Sequence, residues 1–177
     1  ENFITEGDIE SLASLGFNSV RLPMHYNLFT LPIQNEPIAG QNTWLDLGFS
    51  LVDNLLDWCE ANNIYLILDL HAAPGGQGSN SDINDYNPNQ PSLWESTENK
   101  NKTIALWGKL AERYKNEPWI GGYDLLNETH WSLQENELRN LYVQITNEIR
   151  QHDQNHIIFV EGNDFANNFA GLTPPWD

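Results

Sequence analysis

Asn127 and Glu128 are the residues whose types and spacing point most directly to chemistry. They place an amide and a carboxyl side by side at the end of the apolar run Gly121-Gly122-Tyr123-Asp124-Leu125-Leu126. A carboxyl half sheltered by aromatics at a strand end can stay protonated near neutrality, because burial disfavours its charged form. Such an acid can give its proton to a departing oxygen, the step that cleavage of a glycosidic bond requires. The neighbouring amide can bond a sugar 2-hydroxyl, a contact that strengthens as the ring flattens toward an oxocarbenium-like transition state. The same doublet has a structural use, capping a helix that follows. These two residues alone leave both uses open.

Other polar residues close the remaining apolar runs: Arg21, then Asp69 and His71, then Glu161 and Asn163. Arg21 suits an ion-pair role on the rim, orienting a carboxylate and holding it ionised, better than direct contact with a sugar. His71 can bind a substrate hydroxyl or serve as an ordinary hydrogen-bonding side chain. Asp69 and His71 share one strand face, as two metal ligands would, but no His-x-His accompanies them and no metal is expected. Asp82 and Asp85 lie in a polar stretch without a twelve-residue calcium-loop pattern. Neighbouring strands lie only ~4.7–4.9 Å apart, so Glu161 and Glu128 can approach one another like a catalytic pair. A structural carboxylate on the rim is the plainer role for Glu161. Trp131, Trp94 and Tyr26 are candidates to stack on pyranose rings, with core packing an equal use for each. Trp58, Trp107 and Trp119 are assigned to helices and the core. The insert from Gly75 to Glu95 is polar, rich in Gly, Asn, Asp and Ser, and long enough to form a cleft wall.

The elements that must position these residues alternate regularly. Thr5 caps a helix carrying Ile9, Leu12, Ala13 and Leu15, which Gly16 ends, and Phe17 to Pro23 reads as a strand closed by proline. Leu47, Leu51, Leu55, Leu56, Trp58 and Cys59 recur at helical spacing before the apolar run Ile64 to Leu68. Helix Ile104 to Tyr114 then precedes strand Ile120 to Leu126, and helix Leu138 to Ile149 precedes strand His156 to Val160. Strands apolar on both faces and separated by helices imply a parallel sheet covered by helices. Polar groups at many strand ends, with no G-x-G-x-x-G or P-loop, favour a barrel over a nucleotide-binding sheet. A closed barrel needs eight strands and ~250 residues. The expected fold is therefore α/β, a partial (β/α)8 TIM barrel in a single domain over 1–177, incomplete at both ends.

Composition narrows the partners. Eight Lys and Arg against 25 Asp and Glu give a formal net charge of −17, which repels nucleic acid and anionic membranes and favours a neutral partner. Cys59 is the single cysteine and sits in an apolar helical pattern as a small buried hydrophobe. No run approaches the ~20 apolar residues of a membrane span, and Glu1-Asn2-Phe3 lacks the basic start of a signal peptide.

Three motifs arrive in an order that resembles glycoside hydrolase family 5, the cellulase-type barrels. They are Val20-Arg21-Leu22-Pro23, Leu68-Asp69-Leu70-His71-Ala72-Ala73-Pro74-Gly75 and Tyr123-Asp124-Leu125-Leu126-Asn127-Glu128, similar to strands two, three and four of that family. The resemblance extends to a fifth strand ending at Glu161-Gly162-Asn163. It implies that Glu128 is the acid/base, that Asn127 binds the 2-hydroxyl, and that Arg21 and His71 belong to the site. It also implies a retaining mechanism, a β-glucan polysaccharide or oligosaccharide as partner, no cofactor, and a secreted or periplasmic location. The first expectation is an endo-β-1,4-glucanase, with mannanase, β-1,3-glucanase or a non-catalytic carbohydrate-binding half-barrel as alternatives. Thr129 stands where the family's motif usually has proline. The family's nucleophilic Glu, at the end of strand seven, has no counterpart in these residues, so the chain alone is expected to be inactive.

Overall fold

The computed structural model describes residues 3–173 and 176–177, so Glu1, Asn2, Pro174 and Pro175 fall outside the description. Four parallel strands lie side by side in chain order: β1 (Ser19–His25), β2 (Tyr65–Ala72), β3 (Ile120–Asp124) and β4 (Ile158–Phe159). Helices α1 (Glu6–Ser14), α2 (Asp46–Ala61), α3 (Thr97–Tyr114) and α4 (Glu137–His152) precede the four strands in turn. This is the helix-to-strand alternation expected of a partial barrel.

Local chemistry sets the element ends. Thr5 donates its N–H and its hydroxyl to the Asp8 carboxylate, both at 2.8 Å, placing a negative charge in the first turn of α1 where the helix dipole favours it. Gly16 leaves that helix with φ +88°, a conformation costly for other residues. β1 does not stop at Pro23 but runs on to His25. Within the described sheet it is an edge strand, where a missing N–H costs no ladder bond. The buried stripe of α2 is Phe49, Val52, Leu55, Leu56 and Cys59, while Leu47 and Leu51 face outward. Strand β4 is shorter than His156 to Val160. His156 instead bonds back to Asp153 through its N–H at 3.1 Å and its ring Nδ1 at 2.5 Å, and so belongs to the turn after α4.

The core lies between sheet and helices. Leu66, Leu68 and Leu70 of β2 point into it and meet Leu106, Trp107 and Leu110 of α3 and Leu141, Tyr142 and Ile145 of α4 in one buried cluster. The alternate residues of the strands face the other way. Arg21, Asp69 and Asp124 share this inner face, since Pro23 pairs with Asp69 and Asp69 pairs with Asp124. Cys59 and Trp107 are buried in the core, whereas Trp58 and Trp119 pack against it only partly buried. Among the described residues no helix is long and apolar enough to cross a membrane.

Candidate active site

The strand ends converge on one guanidinium. Arg21 donates from Nε to Asp124 Oδ2 at 2.8 Å, and from Nη2 to Asn127 Oδ1 at 3.1 Å and Glu161 Oε1 at 2.9 Å. Its Nη1 lies 3.1 Å from Asp69 Oδ2. Burial pulls the guanidinium's pKa down, but Asp69, Asp124 and Glu161 more than reverse that, and Arg21 is held charged. The ion-pair role expected for Arg21 is thus visible in its contacts. Burial also pushes the Asp69 carboxyl up to about 6, against the pull of His71 and Arg21, and raises Asp124 despite the same arginine. Each of these aspartates keeps one buried oxygen, Oδ1, without a partner among the described residues.

His71 joins the cluster through Nδ1, 2.8 Å from Asp69 Oδ2. A carboxylate there favours the proton on Nδ1 and leaves Nε2 as acceptor. Nε2 faces the Asn127 amide nitrogen at 3.5 Å, the outer limit of a hydrogen bond. Asp69 Oδ2 and His71 Nδ1 are therefore partners. Among the described residues no group of three or more His, Cys, Asp or Glu side chains is arranged to hold a metal ion.

The doublet itself sits just past β3. Leu125 N–H donates to Phe159 O at 3.2 Å and Asn127 N–H to Leu70 O at 3.2 Å, so the chain stays tied to both neighbouring strands after the strand proper ends. Asn127 is buried, while Glu128 is half-buried. Glu128 has φ +38° and donates its N–H to Glu161 Oε2 at 2.7 Å. Capping is not its task, because α4 begins nine positions later and its N-cap is Asn136.

Two contributors escaped the sequence reading. Gln77, fully buried in the insert, donates to His71 O at 2.7 Å and to Asn127 O at 2.8 Å and accepts from Ala73 N–H at 3.1 Å. Asp124 is the other, and its signal was available as a carboxylate inside an apolar strand. The insert is only partly the polar wall that was expected. Its ends are buried at Gln77 and at Ser92, Leu93 and Trp94, and Gly78 pairs with His130 beside the doublet. Gly75 permits this with φ +78°, since a Cβ there would meet Pro91 O at 2.7 Å. The middle of the insert, exposed at Ser81 and Asp82 but buried at Asn84, lines a groove of about 340 Å³ with Pro23, His25 and His71.

The three aromatics are placed differently from one another. Trp131 is half-buried at the rim, with Tyr86 edge-on to it at 5.7 Å, and Asn163 brackets its backbone. Trp94 is only 6 % exposed, its indole N–H donating to Gln77 O at 3.0 Å, and Tyr26 is 2 % exposed with its hydroxyl on Asp85 at 2.8 Å. Neither offers an open ring face. Both stabilise the insert, so packing rather than stacking describes them here.

Known proteins resemble this chain in sequence and in fold. The family model for cellulase, glycosyl hydrolase family 5, matches residues 1–176. A beta-xylosidase of Phanerodontia chrysosporium is 36 % identical over 96 % of this chain and 34 % of its own length. Endoglucanase C of Acetivibrio thermocellus is 31 % identical over 93 % of this chain and 44 % of its own. In fold, an endoglucanase from Thermotoga maritima superposes with a TM-score of 0.75 at 21 % identity, over 98 % of this chain and 50 % of that one. The chain thus spans from about a third to a half of the length of these proteins. With a family model matched over nearly all of its residues, the chain belongs to glycosyl hydrolase family 5.

Proposed function

We propose that these residues form part of the catalytic domain of a retaining β-glycan hydrolase, with Glu128 as acid/base and Asn127 as ligand of the sugar 2-hydroxyl. The observation that supports this best is the placement of the doublet. Glu128 stands half-buried on the rim next to Asn127, whose amide oxygen is fixed by Arg21. An acid that protonates the leaving oxygen needs this position beside a group that reads the sugar. His71 and Trp131 flank it, as a hydroxyl ligand and a stacking surface. The nucleophile is assigned to sequence outside these residues, because both Glu161 oxygens are already engaged, one by Arg21 and one by the Glu128 N–H. Retention requires a second carboxyl ~5–5.5 Å from the first.

The first choice of substrate is a β-1,4-glucan attacked internally, and the net charge of −17 suits a neutral polysaccharide better than nucleic acid or a membrane surface. A polymeric substrate implies a secreted or periplasmic enzyme. The relative named beta-xylosidase gives a specific reason to include xylosides among the substrates tested. The full-length protein should be assayed on carboxymethyl-cellulose, mixed-linkage glucan, mannan and aryl xylosides, with product anomers followed by NMR. Cleavage with net retention is expected, fastest on β-1,4-glucan. Preference for mannan, xyloside or a β-1,3-glucan would change the substrate alone, whereas no turnover of any β-glycoside would favour a binding role and overturn the proposal.

A further inference from the structure

We propose that Glu161 is a positioning residue for the acid/base: it holds the Glu128 backbone in the conformation that presents the carboxyl, and couples it to Arg21. This rests on the role proposed above for Glu128. At φ +38° Glu128 occupies a region that side chains other than glycine adopt only at a cost, and that persists only where surroundings enforce it. The enforcing contacts are visible. On one side of the doublet Gln77 holds Asn127 O at 2.8 Å, and on the other Glu161 Oε2 accepts the Glu128 N–H at 2.7 Å.

Glu161 is itself anchored. Its carbonyl accepts from the buried Tyr142 hydroxyl at 3.0 Å, tying it to α4, and its Oε1 accepts from Arg21 Nη2 at 2.9 Å. That same Nη2 donates to Asn127 Oδ1 at 3.1 Å. One guanidinium nitrogen therefore sets the Asn127 amide directly and the Glu128 backbone through a single carboxylate. Two donors converge on Glu161, and only a carboxylate can accept at both oxygens. An amide has one acceptor and one donor, so Glu161→Gln keeps shape and volume but can satisfy only one of the two neighbours.

The test uses the full-length protein and compares kcat/KM for cellooligosaccharides, whose leaving group needs protonation, with kcat/KM for a dinitrophenyl β-glycoside, whose leaving group does not. Glu161→Gln is expected to lower the first by about tenfold to a hundredfold, a share of the ~10²–10⁴ that a general acid contributes, and the second by less than about threefold. Glu161→Ala should exaggerate the same asymmetry. A merely structural role would depress both substrates alike, and equal losses, or none, would overturn the proposal even if folding is impaired. Glu128→Ala serves as reference. If it shows the asymmetry and the Glu161 variants do not, the inference fails alone, and if it shows none, the acid/base assignment has failed instead.

Discussion

At the scale of the single residue, the site is a balance of four carboxyl and carboxylate groups around few cations, and Asp69 feels it most. Its side chain is fully buried, and burial holds its carboxyl up at about 6 although Arg21 and His71 both pull it down. The native state thus keeps a proton that the unfolded chain releases near pH ~4. Between about pH 4 and 6 the contribution of Asp69 to stability falls as pH rises, and above that it stays at the lower level. Asp69→Asn removes this titration. Urea denaturation across that range should show the stability of the variant gaining on the wild type up to about pH 6 and running parallel beyond it. A difference that is flat, or that moves the other way, would show that Asp69 is ionised throughout. Sequence made Arg21, His71, Asn127 and Glu128 visible, because polar side chains at the ends of apolar runs stand out. It left Asp124 unremarked, because nothing in a single strand shows that a guanidinium from another strand will reach it.

At the scale of elements, the apolar patterns located helices α1 to α4 and the four strands, and the polar ones misled. The start of α3 at Thr97 was invisible to periodicity because Asn99, Lys102 and Thr103 supply its buried face there. Lys102 is buried against Glu36 and Thr30, a long-range pairing that local spacing does not encode. The insert was expected to be a polar cleft wall for the same reason. Part of its polarity is internal to the fold, since Gln77 satisfies backbone groups at the end of β2 and in the segment after β3. Exposure of Trp94 and Tyr26 was equally unreadable, depending as it does on which loop covers the ring. Gln77→Ala would leave His71 O, Asn127 O and Ala73 N–H without that partner. The expected loss is about 2–4 kcal/mol in chemical denaturation, since each unsatisfied buried group costs ~1–3 kcal/mol and relaxation recovers part of it. A loss under about 0.5 kcal/mol, the range of ordinary surface changes, would mean that the insert does not brace the site.

At the scale of the whole molecule, four strands lie in chain order, and the sheet face that carries Arg21, Asp69 and Asp124 is polar at one end and apolar at the other. Tyr65, four positions before Asp69 on β2, and Phe159, paired with Asp124, lie on this face with Ile157, and all three are exposed. Residues 1–177 prepared alone should bind a hydrophobic dye and run larger than their 20.3 kDa on size exclusion. A monodisperse monomer that leaves the dye dark would show that the face is covered within the chain. The partial-barrel architecture was legible because helix-to-strand repetition is a property of the chain itself. The left-handed turn at Asp164, Phe165 and Ala166 was not, since no glycine announces its positive φ angles. It is held from outside, by Thr129 O accepting from Phe165 N–H at 3.1 Å and by His130 stacked on the Phe165 ring at 4.2 Å.

The role of Glu128 decides the functional reading, and replacing it in the full-length protein tests that role most directly. Glu128→Ala should lower kcat/KM on cellooligosaccharides by about 10²–10⁴, spare a dinitrophenyl β-glycoside, and let added azide raise turnover of the latter with formation of a β-glycosyl azide. Hydrolysis of unactivated β-glycans at the native rate by that variant would contradict it.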